Sequence, residues 1–155
     1  VSRAKEHIFG YCILNDLSAR DVQKNEMMCR MGPAKGKDFG NVLGPHILTA
    51  DEWDGRIPDM TVKVNGEIWS QSGGLQPYWS FEIMLSHVSQ SETVFPGDLL
   101  GSGTYFKGCG LDQDRWIKTG DILELDGGPL GVLKNIVGTP KGQHHLKYNR
   151  DGSYA

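Results

Sequence analysis

The sequence has little cysteine, little net charge and no long apolar run. Its three cysteines, Cys12, Cys29 and Cys109, are odd in number and far apart, with no C-x-x-C pair among 155 residues. That usage argues against a disulfide framework and a zinc knuckle, and it favours a reducing compartment, read here as the cytoplasm. Sixteen Lys and Arg stand against 19 Asp and Glu, a formal net charge of -3. No basic footprint for nucleic acid or an anionic membrane follows from that balance. No window approaches the roughly 20 apolar residues that a spanning helix needs. The polar start Val1 to His7 does not read as a signal peptide, and the missing initiator Met reads as a processed or truncated chain.

What is present is glycine, 21 residues of it, about twice the average share of roughly 7%. Only Gly takes positive φ freely, so turns and short strands are expected in place of a helical bundle. The length fits one domain, since a chain of this size hides roughly 70% of its unfolded surface. The domain is expected over 1–138, with a flexible tail at 139–155, where the pattern after Gly138 loses all periodicity.

His7 to Asn15 is a compact apolar run and predicts a buried strand delivering Asn15 and Asp16 to its end. Leu17 to Met28 predicts a short helix with Asp16 or Ser18 as N-cap. Gly32 to Gly40 is too rich in Gly and Pro for regular structure and is expected to be a loop. A strand is expected at His46 to Thr49. Met60 to Val64 alternates with period two, Asn65-Gly66 is a hairpin signal, and Glu67 to Ser70 is the return strand. Phe81, Met84, Leu85 and Val88 recur at helical spacing, which predicts one long amphipathic helix over Trp79 to Gln90 with Ser80, Ser86 and Ser89 facing water. Two echoes, Phe95 to Leu100 and Lys118 to Leu123, each set Gly-Asp in a turn before an apolar strand. Gly131 to Val137 predicts a last strand with apolar residues inward. The fold class expected is α+β, mainly β.

Phosphate-binding readings fail on chemistry. The stretch from Gly32 to Asp38 lacks the four-residue spacing and the Ser or Thr of a Walker loop. Gly101 to Thr104 is not followed by a helix whose N-terminus could hold a pyrophosphate. The stretch Asn15 to Gln23 differs. An Asp at a strand end, with Arg four and Gln seven residues on, puts Asp16, Arg20 and Gln23 on one side of the first two helical turns. Such a group suits a hard metal beside an anionic substrate, or simply a capped helix with an Asp16 to Arg20 pair.

The core Asn15-Asp16-x-Ser18-Ala19-Arg20-Asp21-x-Gln23 closely resembles the signature of the fumarylacetoacetate hydrolase family. Further matches follow in order: Gly36-Lys37-x-Phe39, Gly44-Pro45, Val64 to Glu67, Phe95 to Asp98, Gly101-x-Gly103-Thr104 and Lys118-x-Gly120-Asp121. The resemblance spans about Ile8 to Val137. It implies a mixed β-roll or partly open barrel, a homodimer, and a Mg²⁺ or Mn²⁺ site for 2-oxo acids. It implies Asp16 as metal ligand, Arg20 and Gln23 at the substrate, Lys37 near the metal, and Thr104 at the substrate oxygens. The expected activity is hydrolysis, isomerisation or decarboxylation of 2-oxo or 2-hydroxydienoic (di)acids through a metal-stabilised enolate, with Lys37 and Arg20 facing the developing charge.

In that family two further metal ligands come from a Glu-x-Glu element before the first strand, and a lid His and Glu also lie upstream. Val1 to His7 hold neither, so the 155-residue chain alone is expected to bind metal weakly. A truncated or non-catalytic family member is the alternative. Glu67 and Glu82 read as surface charges, and His46 and His87 as locally bonded side chains. His144 and His145 lie in the tail. Cys109 reads as packing near the pocket rim, and Tyr78 and Trp79 as core or pocket wall.

Overall fold

In the computed structural model, residues 3–30, 32–73 and 77–139 are described. Two antiparallel strands form the first sheet, β1 (Gly10–Asp16) and β2 (Asn41–Thr49). Gly10 faces Thr49 and Asp16 faces Asn41, with an irregularity between Tyr11 and Ile13. Glycine is required at position 10, because a Cβ there would lie 2.6 Å from the Leu48 carbonyl oxygen. The register leaves Asp16 at the strand end, where its side chain escapes the core.

The second sheet has four strands. Alternating Met60–Val64 makes β3, Asn65-Gly66 turns the chain, and Glu67–Ser72 makes β4. Both turn residues have positive φ, +52° at Asn65 and +82° at Gly66, the combination that suits a twisted hairpin. β5 (Ile122–Asp126) and β6 (Val132–Ile136) complete the order β4-β3-β5-β6. Every pairing among the described residues is antiparallel, and the barrel is not closed. The architecture is α+β and mainly β.

The core lies between the sheets: Tyr11 and Ile13 from β1 meet Val64, Leu123, Leu125, Leu130 and Leu133. Truncating such a leucine to Ala typically costs about 2–5 kcal/mol. This core is thin, since no described side chain is less than 2% exposed. Phe9, Leu14, Leu43, Ile47 and Leu99 are all more than a third exposed.

The helices depart from the sequence expectation. α1 (Arg20–Met28) begins three residues later than predicted, after Ala19, and neither Asp16 nor Ser18 caps it. Ser18 Oγ instead donates to the Asp16 carbonyl at 3.2 Å and shapes the turn between strand and helix. α2 (Phe81–Val88) has eight residues against nine in α1, so it is not the single long helix. Ser80 caps α2, its Oγ accepting from the Ile83 N–H at 3.4 Å, and Leu85 and Phe81 pin it to the body, with the Phe81 and Tyr11 rings 5.2 Å apart. Ser86 does not face water: its Oγ is buried without a hydrogen-bond partner.

The two Gly-Asp echoes share a turn but not its sequel. Asp98 Oδ2 accepts from the Phe95 N–H at 2.8 Å and Asp121 Oδ2 from the Lys118 N–H at 2.7 Å. A strand follows only the second, because Ile122 has Ile136 opposite it whereas Leu99 and Leu100 pair with no strand among the described residues. β6 follows its expected pattern only in part, with Leu133 inward and Lys134 outward as expected. Leu133 and Asn135 point inward while Val132 and Ile136 are exposed. Asn135 is drawn in because its Oδ1 accepts from Asn15 Nδ2 at 3.0 Å, tying β6 to the end of β1. The expected tail falls, from residue 140 on, outside the described residues, as do His144 and His145.

Candidate active site

The site is built where β1 stops. Asp16 ends the strand, three residues turn the chain, and Arg20 opens α1. The Gly32 to Gly40 loop then folds back along that helix. The Ala19 N–H donates to the Gly36 carbonyl at 2.9 Å. From the next helical turn, the Glu26 carboxylate accepts from the backbone N–H groups of Ala34, Lys35 and Gly36 at 2.9, 2.8 and 3.2 Å. These donors, Ala34 foremost, hold its carboxyl below the usual carboxylate range. Gly36 is pressed against Gln23, where a Cβ would come within 2.9 Å of the Gln23 backbone nitrogen. Only glycine lets the loop lie this close.

The docked loop places Lys37 beside the strand end, with Nζ 2.5 Å from Asp16 Oδ2. The pair is partly screened from water, the side chains being 22% and 38% exposed. Asp16 therefore pairs with Lys37 and not with Arg20. Arg20 has two other partners: Nη1 donates to Gln23 Oε1 at 2.6 Å and Nη2 donates to Cys109 Sγ at 2.9 Å. The helix start is thus tied to a segment 89 residues away.

Asp16, Arg20, Lys37, Thr104 and Cys109 all line one open groove of about 1530 Å³. Small-molecule pockets measure roughly 300–1,000 Å³, so only part of this groove is needed for a small acid. Thr104 is exposed on its rim. Gln23 is not part of the lining and reaches the groove through Arg20. Further along the same wall, Tyr105 donates its O–H to the Pro58 carbonyl at 2.8 Å, and burial followed by the charge of Asp59 pushes its phenol up to about 12. Burial likewise raises the Cys12 thiol. Tyr78 and Trp79 neither line the groove nor join the core: they are 87% and 56% exposed and stack edge to face on each other at 4.6 Å. Glu67 lies outside the site, its carboxylate 2.7 Å from Arg115.

A hard divalent cation takes oxygen ligands, commonly one or two carboxylates plus water and substrate. Asp16 fits that role as one carboxylate on the groove, with Oδ2 shared by Lys37. Among the described residues no three His, Cys, Asp or Glu side chains converge as a ready-made cluster. A cation held here would rest on Asp16 together with ligands from elsewhere.

Two contributors were missed in the sequence. Cys109 lies on the groove, in keeping with its reading as packing near the pocket rim, but nothing local betrays its reach across the chain to Arg20. Glu26 carries no motif of its own, although its place one turn beyond Gln23 puts it on the face that the loop covers.

Residues 1–152 match the model of the fumarylacetoacetate (FAA) hydrolase C-terminal family. Oxaloacetate tautomerase YisK of Bacillus subtilis is 29% identical over 138 residues, covering 87% of this chain and 45% of the relative. The structure of a fumarylacetoacetate hydrolase from Exiguobacterium antarcticum superposes with a TM-score of 0.79 at 30% identity, covering 90% of this chain and 50% of that one. Fumarylpyruvate hydrolase of Pseudomonas aeruginosa, solved in complex with Mn²⁺ and pyruvate, gives a TM-score of 0.73 at 26% identity, covering 90% and 58%. The chain spans about half the length of these relatives. With Asp16 and Arg20 of its signature on one groove and its fold shared with these enzymes, the chain belongs to the fumarylacetoacetate hydrolase family through that family's C-terminal domain.

Proposed function

We propose that this domain serves a divalent-metal-dependent enzyme acting on 2-oxo or 2-hydroxydienoic (di)acids, by carbon–carbon hydrolysis, isomerisation or decarboxylation through an enolate. The observation that carries the reading is the Asp16 to Lys37 pair on the same groove as Arg20. A carboxylate, an ammonium and a guanidinium on one wall suit an anion that must gain charge on oxygen. The named activities of the relatives, tautomerase and hydrolase, share that demand. The Mn²⁺ and pyruvate in the Pseudomonas relative support the cofactor and substrate class.

Asp16 would hold Mg²⁺ or Mn²⁺ together with ligands from elsewhere, and the chemistry that such a cation would supply is polarisation of the carbonyl of a chelating 2-oxo acid. Arg20 receives the substrate carboxylate, as a planar guanidinium suits. Gln23 braces Arg20 through Nη1. Lys37 donates a proton of its ammonium toward the oxygen on which charge develops, and Thr104 donates its hydroxyl to a substrate oxygen. The exposed apolar residues Phe9, Leu43, Ile47 and Leu99 support a homodimer or cover from the rest of a longer protein. We place the enzyme in the cytoplasm on its free cysteines. No described helix is long and apolar enough to cross a membrane.

The test is turnover of oxaloacetate, an acylpyruvate and a 2-hydroxydienoic diacid by the full-length enzyme that carries this domain, each with and without Mn²⁺. Metal-dependent conversion of at least one substrate is expected. Absence of conversion of all three overturns the reading.

A further inference from the structure

We propose that Glu26 is the positioning residue of Lys37: its carboxylate gathers three backbone N–H groups of the loop and thereby aims the Lys37 ammonium at Asp16. The inference rests on the function proposed for that pair.

Lys37 stands on a loop that has no strand or helix of its own, and such a loop is held only by what it touches. Four backbone contacts hold it to α1. One is the Ala19 N–H on the Gly36 carbonyl. The other three converge on the single Glu26 carboxylate, from Ala34, Lys35 and Gly36. Consecutive N–H groups turned to one side form a concave anion site, and hydrogen bonds to an ionised carboxylate are stronger than neutral ones. Ala34 also opens the turn that closes on Lys37, since its carbonyl accepts from the N–H groups of Lys37 and Asp38, both at 2.9 Å. Fixing Ala34, Lys35 and Gly36 therefore fixes the start of the Lys37 side chain. Glu26 itself is fixed because it lies inside α1, whose first turn carries Arg20. The two cations of the groove are in this way referenced to one rigid element, Arg20 directly and Lys37 through Glu26.

Geometry also says why the residue must be acidic. Ala34 and Gly36 donate to Oε2 and Lys35 to Oε1, so a glutamine, with one accepting oxygen, would turn an amide N–H against at least one of these donors. The carboxylate meets all three.

The experiment measures amine acetylation of each lysine by mass spectrometry on the 155-residue chain at one fixed pH, with the thermal midpoint recorded beside it. In Glu26→Gln the Lys37 acetylation rate, taken relative to Lys63 on β3, should rise at least about fivefold. Amide exchange across residues 34–36 should accelerate with it. Ala34→Pro removes one donor while leaving the carboxylate, and it should raise the same ratio even if Glu26→Gln folds poorly. A ratio unchanged in folded variants overturns the proposal, as does a rise shared equally by Lys63. Oxaloacetate turnover by the full-length enzyme with the same substitutions separates the two readings. A raised ratio with turnover unchanged keeps Glu26 as the positioning residue and removes Lys37 from catalysis. A raised ratio with reduced turnover supports both.

Discussion

The Lys37 ammonium lies 2.5 Å from Asp16 Oδ2, joining a loop to the end of the first strand across 21 residues of chain. This contact gives the groove its chemical character, because it sets a mobile type of side chain beside the carboxylate proposed to hold the metal. Replacing Lys37 with Met keeps most of the apolar stem and removes the charge. Loss of one donor to a developing oxyanion typically costs about 10²–10³ in kcat. Lys37→Met is expected to show that loss on oxaloacetate with little change in KM, as read from steady-state kinetics.

Arg20 is divided between Gln23 and Cys109, one nitrogen to each. Lysine in its place would keep a charge but could not reproduce the fork. Arg20→Lys is expected to raise KM for a 2-oxo acid about tenfold, the usual scale for one charge-assisted bond. Cys109→Ser retains an acceptor and should leave KM within about threefold, a comparison that isolates the hydrogen bond from the sulfur.

The hairpin turn predicts a pH effect on stability. Asp121 accepts from Asn65 Nδ2 at 2.8 Å, and that bond, followed by the Lys118 N–H, holds its carboxyl below its ordinary value of 3.8. A depressed carboxylate stabilises the fold above the unfolded value, and the contribution is lost as pH falls from 3.8 through the folded value. Wild type should therefore lose thermal midpoint on acidification below 3.8 more steeply than Asp121→Asn, which has no such proton to bind.

At the alkaline end the sign is reversed. Tyr105 is pushed to about 12 from 10.0, so its neutral form is favoured in the fold. Its stabilising contribution is present below 10.0 and is lost as pH rises toward about 12. Ultraviolet titration should show one tyrosine ionising last, and Tyr105→Phe should remove that step. The variant also leaves the Pro58 carbonyl without its donor, at a cost of about 0.5–1.5 kcal/mol.

Much of the fold was legible where local chemistry decides it. Asn65-Gly66 turned the hairpin, and Asp121 closed its turn before β5. The reading failed where long-range partners decide. Leu99 and Leu100 look like a strand but pair with none among the described residues, whereas the equivalent residues after Asp121 do. Asn135 points inward because Asn15 receives it from another sheet. In the site, Asp16, Arg20, Lys37 and Thr104 were named from the sequence and share one groove. Their wiring was not legible: Asp16 chose Lys37 over Arg20, Gln23 stands behind Arg20, and Cys109 and Glu26 act from positions whose motif gives no sign of contact.

The central claim is that Asp16 holds a divalent cation used on a 2-oxo acid. Mn²⁺-dependent turnover of oxaloacetate by the full-length enzyme that carries this domain, compared between wild type and Asp16→Ala at saturating substrate, tests it most directly. The account predicts metal-dependent turnover in wild type that falls at least about 10²-fold in the variant, with the midpoint of thermal unfolding little changed. Equal turnover in the two proteins, or turnover in wild type indifferent to Mn²⁺, would contradict it.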